Sequence, residues 1–238
     1  MGDDGGVAVP RKRKQVAHLR WLARVMRHPS AVLLLVQLVG LLLYPFIEHT
    51  RSARAMLGAF GVLVLCLAIA MVQRTRGRGW ISAAIAVPAV LLNVLDLTMD
   101  IPVFRPWWAA LEALFYFYAA TCLIRYMLAD RRATSDELFA AGATFTLLAW
   151  AFTYLFVLCQ TLQPGCFSAA VNPTAPRSWT ELLFLSFALM SSTGIGDVIP
   201  ISVHARAVAS LEMFVGVMYI ALVVSRLIGL TLLRRDES

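Results

Sequence analysis

The sequence predicts an all-α integral membrane protein with six transmembrane helices and a short re-entrant helix between the fifth and the sixth. Of its 238 residues, 60% are hydrophobic and 15% are charged, whereas soluble domains are about 45–50% apolar and about 25% charged. Six apolar stretches reach the length of about 20 residues that a spanning helix needs. These stretches are residues 31–49, 55–73, 80–99, 106–128, 137–160 and 206–233. The amphipathic stretch 178–191 is too short to span and lies between the last two.

Residues 1–30 precede the first span and form a basic cytoplasmic arm. Leu19, Leu22 and Met26 recur at helical spacing among arginines, a pattern typical of an interfacial helix on the inner leaflet. A cytosolic extension of the first span is the alternative. No cleavable signal peptide is expected, because the arm has no apolar core before Ala31.

The distribution of positive charge predicts the orientation. Sixteen of the 21 Lys and Arg residues lie on the side of the N terminus. The other five are on the opposite side: Arg51, Arg54, Arg105, Arg177 and Arg206. This excess follows the positive-inside rule. We therefore expect an inner (plasma) membrane protein with both termini cytoplasmic. The formal charge of +7 is explained by this distribution along the membrane surface, and no nucleic-acid partner is expected.

Residues 31–132 contain four spans. The fourth carries Glu112 about two turns from its start and a single arginine, Arg125, at its inner end. Asn93, Asp96 and Asp100 share one face of the third span. Ionisable groups inside a membrane suggest function, but Asp96 and Asp100 fall close enough to the outer surface to be hydrated, so their role stays open.

Residues 133–238 contain the last two spans. Thr134-Ser-Asp-Glu137 is a capping box that predicts where the fifth span begins, and Pro164-Gly165 predicts a turn beyond its end. Cys159 and Cys166 are near that turn, and whether they form a disulfide stays open. In the last span, Gly216 is either a hinge or a close-packing residue.

Glu212 lies one turn before Gly216 and is expected to pack against the short helix and support it. The alternative is that Glu212 is exposed to a central path through the protein.

The loop after the short helix reads Ser192-Thr-Gly-Ile-Gly-Asp197. Successive backbone carbonyls can face one axis only if some residues take positive φ, which glycine adopts at little cost. Gly194 and Gly196 are placed where we expect that conformation. Such a row of carbonyls can replace the water around a dehydrated cation.

The region from Cys159 to Leu230 resembles the pore domain of tetrameric potassium channels, especially bacterial six-span ones. Ser192, Thr193 and Ile195 replace the threonine, valine and tyrosine of that family's T-V-G-Y-G-D motif, whereas Gly194, Gly196 and Asp197 match it. The resemblance implies a re-entrant pore helix and selectivity filter between the fifth and sixth transmembrane helices. Residues 133–238 would form the pore domain, and residues 31–132 resemble a voltage-sensor domain without its arginine ladder.

By this resemblance the chain is a homotetrameric, potassium-selective ion channel in the lipid bilayer. The backbone oxygens of Ser192, Thr193, Gly194 and Ile195 would bind K⁺, and Asp197 would anchor the outer end of the filter. No cofactor other than the permeant K⁺ is expected. The last span ends near Leu233, which leaves no room for a soluble ligand-binding domain before Ser238.

Ile195 departs from the family pattern. The tyrosine that it replaces packs against aromatic residues of the pore helix, but here the facing positions are predicted to be Phe184 and Leu185. The alternative functions are therefore a weakly selective monovalent cation channel, a non-conducting membrane subunit or a transporter. An enzyme is not expected, because none of the four histidines lies in the interior of a span, where it could act as a base for a serine nucleophile.

Overall fold

A computed structural model describes residues 29–47, 61, 63–64, 66–70, 79–99, 102–129 and 135–236. Several predictions fall outside these residues: the basic arm and its interfacial helix, most of the second span, the capping residue Thr134, and Asp100. The side chains of Asn93 and Asp96 are likewise not described. The described residues between 61 and 70 are helical, in agreement with the predicted second span.

The described chain is mostly helical, and its elements follow the predicted order. The helices are α1 (Pro29–Ile47), α2 (Gly79–Met99), α3 (Arg105–Ala129), α4 (Ser135–Leu162), α5 (Trp179–Met190) and α6 (Val203–Asp236), with a 3₁₀ turn at Pro102–Phe104. Two short strands, β1 (Phe167–Ala169) and β2 (Val198–Pro200), flank α5 and the loop after it. Within the described residues, α3, α4 and α6 are long and apolar enough to cross a membrane, so this is a membrane protein.

Helix α4 lies at the centre of the packing. It contacts α1, α3, α5 and α6. Several of its buried positions are small, including Ala140, Ala143, Ala149 and Ala151, which lets neighbouring helices approach closely. α4 is therefore the element against which the other helices are positioned.

A chain of aromatic contacts joins α3, α4 and the start of α5. The ring centroids of Tyr116 and Trp150 are 5.6 Å apart, and those of Trp150 and Trp179 are 5.7 Å apart. Both pairs are edge-to-face, the geometry that aromatic quadrupoles favour. Trp108 also packs edge-on against Tyr154 at 5.5 Å. The beginning of α5 is thus fixed to the helices that precede it.

The two strands bring the segment after α5 back to the segment before it. β1 and β2 pair antiparallel, with Ser168 opposite Ile199. Just beyond β2, the amide of Ile201 donates to the carbonyl of Cys166 at 2.9 Å. The chain therefore leaves the loop at the same end of the molecule at which it entered α5.

The other end of α5 reaches the middle of the two neighbouring spans. Met190, the last residue of α5, packs against Gly216, which is the midpoint of the apolar segment Val203–Gly229. Ser186 donates to the carbonyl of Ala149 at 2.7 Å, and Ala149 is the midpoint of Asp136–Leu162. Gly216 lies 13 residues after Val203, which corresponds to about 20 Å of helix axis. α5 thus ends at about half the depth of α4 and α6.

The loop between β1 and α5 is organised by a buried arginine. Arg177 is 5% exposed, and its guanidinium donates to the backbone carbonyls of Val171 and Asn172 and to that of Ala175 at 3.0 Å. It also pairs with the carboxylate of Glu181 at 3.1 Å. This one side chain thus joins three carbonyls of the loop to the first turn of α5.

We predict that Arg177→Ala lowers the free energy of unfolding by about 2 kcal/mol, because it removes a buried guanidinium whose hydrogen bonds hold three loop carbonyls and the Glu181 carboxylate together. For a chain of this size that corresponds to a thermal midpoint lower by about 4–8 °C, measured on the purified protein in detergent. Arg206→Ala is the control, since Arg206 is exposed and donates to one carbonyl, that of Pro200. Equal midpoints for the two variants would contradict the assigned role of Arg177.

Candidate functional site

The candidate site is the loop of residues 191–197 together with the helix α5 that precedes it. The first turn of α5 is fixed by a capping box. Ser178 Oγ accepts from the amide of Glu181 at 3.3 Å, and the Glu181 carboxylate accepts from the amide of Ser178 at 2.6 Å. The S-x-x-E spacing is visible in the sequence as a helix start, although our sequence analysis did not single it out.

The last turn of α5 ends in a Schellman motif. The amide of Ser192 donates to the carbonyl of Leu189 at 3.1 Å, and the amide of Thr193 donates to that of Ala188 at 3.0 Å. This motif requires a left-handed residue at the position after the cap. That residue is Ser192, with φ of +59°, in place of the usual glycine.

The glycines of the loop differ from each other in conformation. Gly194 has φ of +66°, as the sequence predicts, but Gly196 is not among the residues with positive φ. The prediction for Gly196 was therefore wrong. The second left-handed position is Ser192, because the end of α5 demands it there.

The carbonyls at the end of α5 are largely occupied. The hydroxyl of Ser191 donates to the carbonyl of Phe187 at 2.6 Å, and that of Thr193 lies 3.3 Å from the carbonyl of Ala188. The amide of Gly194 also points to Ala188 O, at 3.3 Å. The carbonyl of Leu189 accepts the amide of Ser192. The unoccupied acceptors lie further along the loop.

A run of exposed backbone oxygens follows. Residues 191–197 are exposed in the single chain. Within the described part of the molecule, the carbonyl oxygens of residues 192–196 accept no hydrogen bond. Carbonyl oxygens in such a row are ligands for an alkali cation. The loop brings together all four residues predicted to bind K⁺: Ser192, Thr193, Gly194 and Ile195.

The outer end of the loop is held by backbone contacts. The amide of Ala170 donates to the carbonyl of Asp197 at 3.3 Å, and Val198 begins β2. Asp197 is exposed, and its carboxylate forms no hydrogen bond or ion pair with a described residue. Asp197 therefore anchors the loop through its main chain, whereas the sequence analysis assigned that role to the residue without distinguishing backbone from side chain.

The two side chains predicted to support Ile195 differ in burial. Leu185 is 3% exposed and lies in a cluster with Phe156, Phe167 and Val198. Ile195, which is 54% exposed, is not among the residues packed there. Leu185 therefore packs inside the single chain, and its support of Ile195 stays a prediction. Phe184 is 45% exposed, like Ile195 on the surface of the single chain.

Behind the loop, two residues of α6 contact α5. The Glu212 carboxyl is fully buried and meets the hydroxyl of Ser186, as expected for a brace. A Cβ built on Gly216 would lie 2.8 Å from the Cα of Met190. Gly216 is therefore a close-packing residue in this structure, and its role as a gating hinge stays a prediction.

The remaining candidates lie away from the loop. Cys159 and Cys166 are free thiols, and burial raises the pKa of Cys166, which follows the end of α4, to about 11. Its thiol is thus protonated and unreactive at neutral pH. Glu112 is 2% exposed in α3 and lies in the interior of the fold.

The comparison with protein families agrees with this geometry. Residues 142–231, less than half of the chain, match the family model described as "Ion channel". This range contains α5, the loop 191–197 and Gly216. The match confirms the resemblance to pore-loop ion channels that the sequence gives for the same part of the chain. No curated protein and no solved structure matches the chain.

We predict that Gly216→Ala destabilises the protein by about 1–3 kcal/mol, because the added methyl overlaps the backbone of Met190 and forces α5 and α6 apart. Gly229→Ala on the same helix is the control, since a Cβ there has nothing within 4 Å. The thermal midpoints of the two variants provide the measurement. If Gly216→Ala proves as stable as Gly229→Ala, close packing at this glycine is refuted.

Proposed function

We propose that this protein is a potassium-selective ion channel in which K⁺ passes through a filter formed by residues 192–197. The backbone oxygens of Ser192, Thr193, Gly194 and Ile195 bind the ion, and Gly196 and Asp197 form the outer end. The observation that carries the proposal is the run of exposed carbonyl oxygens at residues 192–196 that accept no hydrogen bond within the described chain. This run lies inside the segment that matches ion channels.

One chain supplies only one side of a coordination shell. Carbonyls from several copies must surround the ion to replace its water, and by resemblance to the potassium-channel family we propose a homotetramer. The burial of the spans supports association through α6: its apolar segment is 22% buried in the single chain, compared with 67% for α4. The rest of α6 is therefore available to other copies, to the ion path and to lipid.

Three features support a re-entrant pore helix. α5 has 12 residues, too few to span a bilayer. Its residue Ser186 contacts Ala149 and its last residue, Met190, packs against Gly216, which are the midpoints of the spans of α4 and α6, and the following loop returns to β1. With both termini cytoplasmic, as the charge distribution predicts, the filter opens to the outside of the plasma membrane.

The helices before the pore domain are proposed to act as a scaffold. Between Arg105 and Arg125, α3 contains no basic residue, whereas a voltage sensor needs several charges that each contribute about 2.3 kcal/mol per 100 mV. The aromatic contacts from Tyr116 through Trp150 to Trp179 fix α3 against α4 and the pore helix. Six spans in all, with residues 31–132 as the scaffold and 133–238 as the pore domain, complete the proposed architecture.

A weakly selective monovalent cation channel is the second candidate. Selectivity depends either on the width that the filter holds or on the number and strength of its dipoles. Ile195 is half-exposed and lacks the hydroxyl of the tyrosine that it replaces. A filter whose width is held less tightly at Ile195 discriminates less strongly between K⁺ and Na⁺.

The filter is tested by Gly194→Ala. Gly194 has φ of +66° and open space around it. The added methyl group therefore meets no other atom, and the variant is destabilised only by the left-handed backbone conformation of an alanine, which costs about 1–2 kcal/mol. We expect the loop to leave the conducting conformation and K⁺ flux into liposomes to be lost, while chemical crosslinking still yields a tetramer. Gly165→Ala is the matched control, because Gly165 has φ of +80°, is equally open and lies outside the filter.

Normal flux in Gly194→Ala would remove the filter assignment. Absence of K⁺ flux in the wild-type protein would instead favour the non-conducting subunit. Flux of a larger solute coupled to an ion gradient would favour the transporter.

Selectivity is tested by Ile195→Tyr. We expect the ratio of sodium to potassium permeability, measured from reversal potentials, to change, because the larger ring repacks the side of the filter. Ile199→Tyr is the control, since Ile199 is 46% exposed but lies in β2, beyond the filter. An unchanged ratio in a correctly assembled Ile195→Tyr channel would show that this side chain does not set the filter width.

A further inference from the structure

Three helices of the pore domain meet at one buried hydroxyl group. Ser186 on α5 is fully buried, and so is Glu212 on α6. The Ser186 oxygen contacts a carboxyl oxygen of Glu212, and it also lies 2.7 Å from the carbonyl oxygen of Ala149 on α4. Both are hydrogen-bond contacts between oxygen atoms.

Each of these two contacts needs a proton between its oxygens. The carbonyl of Ala149 is an acceptor only, and the Ser186 hydroxyl carries one proton. If that proton points to Ala149, the second contact is a hydrogen bond only when the Glu212 carboxyl carries a proton of its own. A protonated carboxyl has one O–H donor, so a neutral Glu212 satisfies both contacts at once.

The surroundings of Glu212 also favour the neutral acid. Its second carboxyl oxygen is buried and has no hydrogen-bond partner among the described residues. No described cationic side chain forms an ion pair with it. A buried carboxylate without a cation is strongly disfavoured, whereas a neutral acid leaves only a carbonyl-like oxygen unpaired.

We propose that Glu212 is a neutral carboxylic acid that donates its proton to Ser186 and is thereby a positioning residue for the filter. This inference rests on the proposed function, since it concerns the support of the same loop. Ser186 is two residues before Ala188, whose carbonyl receives the amides of Thr193 and Gly194. The hydrogen bonds that join Glu212, Ser186 and Ala149 therefore fix the turn of α5 to which the filter is hydrogen-bonded.

The protonation state is tested by infrared spectroscopy, which separates the carbonyl stretch of a protonated carboxyl from the bands of carboxylates. The protein reconstituted in lipid at neutral pH is compared with Glu212→Gln. We expect the variant to lose intensity in the protonated-carboxyl region, and Ser186→Ala to shift the same component because its hydrogen bond is gone. Glu112→Gln is the matched control, since Glu112 is a buried carboxyl inside a span and forms no hydrogen bond with Ser186.

The positioning role is tested by K⁺ flux through Glu212→Gln and Glu212→Met. The amide of glutamine also donates to Ser186 and keeps the same length, whereas methionine fills the space and has no donor. We expect about tenfold lower flux in Glu212→Met, the effect of losing one buried hydrogen bond, and substantial recovery of flux in Glu212→Gln.

The proposal is overturned if Glu212→Gln leaves the protonated-carboxyl bands unchanged, or if Glu212→Met conducts as the wild type does. If Glu212→Met does not assemble, the infrared comparison of the isosteric glutamine variant still decides the protonation state. The infrared result does not depend on conduction. A wild-type protein without flux would therefore contradict the proposed function and leave the state of Glu212 to be decided separately.

Discussion

A backbone segment that offers its carbonyl oxygens to an ion cannot use them to hold its own conformation. In residues 192–196 these oxygens accept no hydrogen bond within the described chain, so the shape of the loop has to be imposed by its neighbours. At the end of the loop next to α5, the backbone amides of Ser192, Thr193 and Gly194 donate hydrogen bonds to carbonyls of α5. These bonds help to fix the conformation of the loop. Much of the surrounding structure follows from this requirement, because α5 can position the loop only if α5 is itself held firmly.

α5 is held along its whole length by different means. Its start is capped by Ser178 and Glu181 and packed through Trp179 against the aromatic residues of α4. Its middle and end contact the midpoints of α4 and α6 at Ala149 and Gly216. Since Tyr116 of α3 also packs against Trp150 of α4, α3 supports the beginning of α5 through the aromatic residues of α4. This arrangement explains how a domain without an arginine ladder can still contribute to a channel.

Much of this could be predicted from the sequence. The observed helices α1 to α4 and α6 begin and end within a few residues of the predicted spans, because runs of apolar residues bounded by polar or turn residues define them locally. Gly194 was correctly assigned positive φ, since it follows from the motif. The left-handed Ser192, the burial of Leu185 and the meeting of Ser186 with Glu212 could not be predicted. Each of them depends on how the end of α5 packs against helices that are distant in sequence, and no local sequence pattern determines that packing.

The support of the filter is unequal at its two ends, and this bears on selectivity. At the inner end, three backbone amides and the Thr193 hydroxyl contact α5, which is in turn clamped by α4 and α6. At the other end, the amide of Ala170 donates to the carbonyl of Asp197 at 3.3 Å and β2 pairs with β1 directly after Asp197, but these contacts begin two residues beyond Ile195, which is half-exposed. In the proposed channel, the inner sites at Ser192 and Thr193 would therefore be held to a defined width by the chain itself. The width at Ile195 would depend on contacts between the proposed copies, so we expect differences in selectivity among variants to arise at the outer sites.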